Sequence, residues 1–308
     1  MKITMVGAGG VGAYFGAVLQ RAGHSVHFLV RERHAEAIRA RGIQVSSGDA
    51  PPWQVMPAGV STLASDIGES DAVILATKAF QVSDMAAGLA PLLHASTPIL
   101  PLQNGITVTD TLVQAVGKQH VLGGVCVIIS HLPEPGRVQH LGGQPAITFG
   151  ELDGSRSPRC ESLAAALTDA SVTTTLSDDI YHDMWRKFML ISSYGGVGAL
   201  TRQPVGKTRS FPLTRQLVQD AMLEVRALAE AYGVLLTEED VKWAMSQFDA
   251  FTPDSTASMQ RDLAAGRKSE LEDQNGTICR LATQAGVAVP VHATIYRSMA
   301  LLESLRGE

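Results

Sequence analysis

In the first half of the chain, apolar residues come in short unbroken runs. Each run leads into a stretch where they recur every three or four positions. The runs at residues 3–6, 25–30, 71–77 and 97–102 predict buried parallel strands, because a strand covered on both faces has no reason to alternate. The helical spacing predicts helices at 13–19 (closed by Gly23), 32–41 (closed by Gly42), 81–93, 107–116 and 157–170. Residues 42–57 read as irregular, with strand-like pieces at 43–45 and 54–56. Further strands are expected at 121–130, 136–140, 146–150 and 172–176, the middle ones hairpin-like. Strands alternating with helices predict an α/β fold, a doubly wound sheet with an antiparallel addition.

The pattern changes near Ser177, and strand signals stop. Apolar helical periodicity predicts helices at 180–200, 212–232, 237–252, 259–265, 271–285 and 292–306. The expected organisation is an α/β domain over residues 1–177 and an all-helical domain over 178–308. Within the first of these helices, Tyr194-Gly195-Gly196-Val197-Gly198 is glycine-rich enough to predict a local break.

The sequence has 308 residues, 45% of them hydrophobic, which is ample for two cores. A net charge of −5 and the lack of a basic run argue against a nucleic-acid surface. Cys126, Cys160 and Cys279 are far apart and lack metal or redox spacing, as expected of reduced thiols in a cytoplasmic protein. The opening apolar stretch is too short and glycine-broken for a signal peptide, and nothing reaches the ~18 apolar residues a membrane span needs.

The chemistry begins where the first strand ends. Gly7-Ala8-Gly9-Gly10-Val11-Gly12 fits G-x-G-x-x-G between a strand and a helix. Gly7 allows the tight turn, Gly9 lets backbone approach a pyrophosphate, and Gly12 lets helix and strand pack closely. A Rossmann-type dinucleotide site follows, with Gly10 and Val11 in the first helical turn. The second strand ends at Arg31, followed by Arg33 and His34, with Glu32 the only acid nearby. A guanidinium there is suited to a 2′-phosphate and so favours NADPH over NADH, the other reading being a solvent-exposed arginine at a helix start. Lys78, after the strand at 71–77, stands at the carboxyl edge where such sheets bind ligands, and reads either as a cofactor contact or as a surface lysine. Asn104 before Gly105 is suited to a carboxamide or a substrate oxygen, and equally to a plain Asn-Gly turn.

In the helical half, Lys187 sits on a largely apolar helix among Met184, Phe188, Leu190 and Ile191. A lysine there is costly to bury unless it has a partner or a task, such as polarising a carbonyl or supplying a proton. Ser258, Lys268, Ser269 and Glu270 cluster farther on. Glu270 reads either as a reacting-site carboxylate or as a charge favoured by a helix start capped by Ser269.

Taken in order, these stretches resemble the ketopantoate reductase (2-dehydropantoate 2-reductase) family. They are Gly7 to Gly12 with Arg31, Thr77-Lys78-Ala79-Phe80-Gln81, Gln103-Asn104-Gly105, Trp185-Arg186-Lys187, Ser258-Met259 and Gly266-Arg267-Lys268-Ser269-Glu270. The resemblance implies NADPH-dependent reduction of a 2-keto acid, with ketopantoate as the first candidate. It implies Lys187 and Glu270 as catalytic residues and Ser258 as a carboxylate contact. Lys78 would line the cofactor, and Asn104 would face both cofactor and substrate. One departure stands out. Family members that reduce ketopantoate carry two asparagines four and eight residues after the lysine, where this chain has Ile191 and Gly195. Ser192, Ser193 and Tyr194 are the nearest polar candidates. Two alternatives follow: a reductase of a different, less polar 2-keto acid, or a non-catalytic NADP(H) sensor on the same fold. Apolar faces on the helices at 212–232 and 292–306 suggest a homodimer through the helical half.

Overall fold

The structure is a computed structural model that describes residues 1–305, so Arg306, the expected end of the last helix, lies outside it. The chain divides into two compact units. Met1–Gln103 with Val108–Ile180 forms one, and Asn104–Thr107 with the chain from Tyr181 onward forms the other.

The strands of the first unit are, in chain order, β1 (Lys2–Val6), β2 (Ser25–Leu29), β3 (Ile43–Ser47), β4 (Ala50–Val55), β5 (Gly59–Ser61), β6 (Ala72–Leu75), β7 (Ile99–Pro101), β8 (Leu122–Glu134), β9 (Arg137–Glu151) and β10 (Thr173–Leu176). A parallel sheet runs β5-β2-β1-β6-β7, with the order reversing beside β1. That reversal opens the crevice in which doubly wound folds bind dinucleotides. Ile3, Met5, Phe15 and Phe28 are fully buried between this sheet and the helix Gly10–Arg21. Each such side chain contributes roughly 1.5–3 kcal/mol.

The expected antiparallel addition is instead a second, mixed sheet, ordered β10-β9-β3-β4 with β8 paired to β9, in which β9 runs antiparallel to β8 but parallel to β3 and β10. A parallel bridge, Ile99 to Val121, links it to the first. The expected short strands prove to be one long hairpin. Pro133, Gly142, Gly143 and Pro145 interrupt the apolar pattern but not the pairing, which accommodates them with register shifts. The continuous helix expected at 81–93 is instead three pieces, a 3-10 turn Ala79–Gln81, an α-turn Val82–Met85 and a 3-10 stretch Ala86–Leu92. Pro91 lies inside the last piece, where it removes a donor and crowds the preceding turn.

The second unit is helical as expected, with helices Ile180–Thr201, Pro212–Ala231, Glu238–Ala250, Ser258–Ala264, Thr277–Ala285 and Pro290–Ser304. A short helix Val205–Ser210 was not foreseen. The break expected at the glycines does not occur, and the helix runs unbroken from Ile180 to Thr201. Packing explains this. A Cβ on Gly196 would lie 2.9 Å from Asn275 Nδ2, and one on Gly198 would lie 2.7 Å from Gln260 Oε1. The glycines therefore mark close approach, and tertiary contact outweighs their poor helix propensity of about 1 kcal/mol each.

A buried polar network ties four elements of this unit together. The Asn275 amide donates to Ser192 O at 3.4 Å and to His292 Nδ1 at 2.9 Å. His292 Nε2–H donates to Ala221 O at 3.0 Å. Asn275 lies in a π-helical turn, Glu272–Gly276, that opens the helix expected at 271–285. Among the described residues, no helix is long and apolar enough to cross a membrane.

Candidate active site

In the first unit the glycine turn is built as expected. Gly7 follows β1 at φ +97°, and its N–H donates to Leu29 O at 3.0 Å. A Cβ on Gly12 would lie 2.1 Å from Gly7 O, so the helix can approach the strand only without one. Gly9, the N-cap, is different. It is exposed, and a Cβ there would meet nothing within 4 Å. The fold itself thus gives no reason for glycine at position 9. No side chain caps the Gly10–Arg21 helix and no acid lies in its first turn, so the N–H groups of Gly10, Val11 and Gly12 have no intrahelical partner and carry the positive end of the helix dipole.

Arg31 is exposed at the N-cap of the helix Glu32–Arg41, one residue beyond Val30. The single acid nearby is occupied, since Glu32 pairs with Arg39 at 2.9 Å. His34 is held below the ordinary imidazole range, first by burial and then by the Arg31 and Arg33 guanidiniums. The corner is electropositive.

Lys78 is half-buried at the head of the Ala79–Gln81 turn, where its backbone N–H donates to Gln81 Oε1 at 3.2 Å. Gln81 thereby has a local structural role. Gln103 Nε2 donates to Thr77 Oγ1 at 3.4 Å and joins the ends of β7 and β6. Asn104 follows Gln103 just past the carboxyl end of β7, and by its contacts it groups with the helical unit. The turn is made by Gly105 at φ +113°, where a Cβ would stand 3.4 Å from Asp273 O.

In the second unit, the helix Ile180–Thr201 separates the residues of the Trp185-Arg186-Lys187 motif. Trp185 is buried, edge-on to Phe188 and stacked on Tyr232 at 6.1 Å. Arg186 lies 4.4 Å over the Trp243 ring and pairs with Asp183 at 3.2 Å. Both anchor the helix. Lys187 is half-buried, with Ile191 one turn on, also half-buried. Gly195 is buried, and a Cβ there would come 3.0 Å from Ala257 Cβ. That contact sets the helix against Ser258, the half-buried first residue of the helix Ser258–Ala264.

Glu270 is 4% exposed. Ser269 Oγ accepts from the Leu271 N–H at 3.1 Å, a local turn just ahead of the π-helical turn Glu272–Gly276, which no side chain caps. Glu270 is a buried carboxylate just ahead of that helix start, an arrangement proteins retain only with compensation. Asp273, which sequence reasoning missed, is a second carboxyl close by. Burial, then Glu270 and Glu272, push it up to about 6 against the opposing charge of Lys268, and its Oδ2 is buried without a hydrogen-bond partner. The run Glu270-Leu271-Glu272-Asp273 was its visible signal, since closely spaced acids cannot all ionise cheaply.

The chain is similar to known proteins along its length. The chain matches the family Ketopantoate reductase PanE/ApbA over residues 3–154 and that family's C-terminal part over residues 179–303. It is 29% identical to an uncharacterized oxidoreductase, YkpB, of Bacillus subtilis (strain 168), over 99% of each chain. The 2-dehydropantoate 2-reductase from Geobacter metallireducens GS-15 has the same fold, with a TM-score of 0.90 at 32% identity over 98% of this chain and 99% of that one. So does a D-mandelate dehydrogenase solved with NADH, with a TM-score of 0.88 at 25% identity over the whole of both chains. The chain belongs to the ketopantoate reductase family of oxidoreductases acting on CH–OH groups.

Proposed function

We propose that the protein reduces a 2-keto acid to the 2-hydroxy acid at the expense of NADPH, with ketopantoate as the first substrate to test. The observation that supports this most is the presence, in one unit, of a half-buried Lys187 and a buried Glu270 on a ketopantoate reductase family scaffold. A sensor needs neither group.

For the cofactor, Gly9 leaves a cradle that any Cβ would fill, above an uncapped helix start suited to a pyrophosphate. Arg31, with Arg33 and His34 behind it, fits a 2′-phosphate, and Glu32 is held away by Arg39. Lys78 and Asn104 complete the proposed cofactor set. The bound nicotinamide supplies the hydride. As negative charge builds on the ketone oxygen, the Lys187 ammonium donates to it and delivers the proton that completes the alcohol. Glu270 holds and orients the substrate, and the Ser258 hydroxyl donates to its carboxylate. Asn104 has both a donor and an acceptor to present to the substrate.

The test is NADPH oxidation by the purified protein across 2-keto acids, with Lys187→Ala as control. That variant should lose turnover by roughly 10²–10⁴-fold while still binding NADPH. Unchanged turnover would remove Lys187 from the mechanism.

A further inference from the structure

The stripe of the Ile180–Thr201 helix that begins at Lys187 continues through Ile191 to Tyr194. Positions four and seven residues on lie within roughly 40° of one line along a helix. Helical side chains lean toward the N-terminus, so Ile191 and Tyr194 cover surface on the Lys187 side of their own turns. Neither is polar in the way the family's asparagines are. The second amide position is also closed sterically, since even a Cβ on Gly195 would crowd Ala257 at 3.0 Å.

Tyr194 is held by its ring. Its centroid lies 5.0 Å from that of Phe251 and 6.3 Å from that of Phe248. Phe248 is fully buried, whereas Phe251 and Tyr194 keep part of their surface exposed, so the cluster runs outward from the core. The Tyr194 hydroxyl makes no hydrogen bond among the described residues. Desolvation pushes the phenol up to about 12, which keeps it neutral at any working pH.

Resting on the reductase reading above, we propose that Ile191 and Tyr194, backed by Phe251, form an apolar wall beside Lys187 that selects 2-keto acids with a branched or aromatic hydrocarbon side chain over hydroxylated ones. A hydroxyl brought against Ile191 and the ring faces of Tyr194 and Phe251 loses its water and gains no partner from them, while a hydrocarbon loses nothing.

The experiment is steady-state kinetics of the full-length protein with NADPH and three probes: ketopantoate, 4-methyl-2-oxopentanoate and phenylglyoxylate. At least one hydrocarbon substrate should exceed ketopantoate in kcat/KM by roughly tenfold or more. Tyr194→Phe should keep that ratio, Tyr194→Ala should collapse it through KM, and Ile191→Asn should shift it toward ketopantoate, with NADPH binding unchanged in all three. Preference for ketopantoate by the parent protein would overturn the wall and leave the reductase reading intact. So would equal losses on every substrate in Tyr194→Ala with no rescue by Tyr194→Phe. Absence of turnover on all three substrates would overturn the reductase reading and this proposal with it.

Discussion

Gly9 and Gly12 carry the same side chain for opposite reasons, and substitution separates them. At Gly12 an added methyl group must displace Gly7 O from 2.1 Å, so Gly12→Ala should destabilise the protein by about 1–3 kcal/mol. At Gly9 the methyl meets no protein atom within 4 Å, so Gly9→Ala should fold with stability within ~0.5 kcal/mol of the parent yet bind NADPH more weakly. Urea unfolding beside fluorescence titration of NADPH reads both. Equal stability losses in the two variants would make the Gly9 position structural. Arg31 is exposed, so its loss should not disturb folding. Arg31→Ala should raise KM for NADPH by roughly 10–100-fold, the worth of a charge-assisted contact, and leave KM for NADH nearly unchanged. A matched change for both cofactors would count against a 2′-phosphate contact.

Among the elements, the Ile180–Thr201 helix shows most clearly how neighbours decide local structure. By propensity alone, Gly196→Ala should stabilise a helix interior by about 1 kcal/mol. The added Cβ would stand 2.9 Å from Asn275 Nδ2 and 3.1 Å from Ile295 Cδ1, both in the core. Because Asn275 is fixed by its bonds to Ser192 and His292, it cannot step aside without breaking them. Overpacking of this kind costs about 1–3 kcal/mol, so the net effect should be destabilising. A rise in Tm for Gly196→Ala would show that the network yields. The glycine run was visible in the sequence, but its meaning was not. Glycine spacing records where a backbone must be bare, whereas the reason lies on other helices, here at residues 260, 275 and 295. The broken segment from Ala79 to Leu92 is the converse case, where Pro91 was legible and its consequence could have been read.

For the whole molecule, one buried and one half-buried group give opposing pH dependences. His292 is fully buried, and its folded pKa of about 4 lies below the ordinary 6.5. It stays neutral above the higher value and costs stability as pH falls through 6.5 toward 4, by about 3 kcal/mol at most. Asp273 works the other way. Its folded value of about 6 lies above the ordinary 3.8, so its contribution is present at low pH and is lost as pH rises through about 6. Asp273→Asn should therefore be more stable than the parent above about pH 6, with the gain fading toward about pH 4 and a steeper acid-side loss. Parallel stability–pH curves from urea unfolding of the two proteins would refute this. The sequence by itself determined the alternation of elements, the glycine turn after β1, Arg31 at the end of β2, and the helical character of the second half. Each of these rests on local periodicity or on a residue's own backbone and charge. Tertiary structure alone decided that the hairpin forms a second sheet, that Asn104 groups with the helical unit, that the glycine-rich helix stays whole, and that Asp273 and Tyr194 acquire shifted acidities. Those outcomes depend on which distant atoms fill the space around a residue, and no run of neighbours in the chain records that.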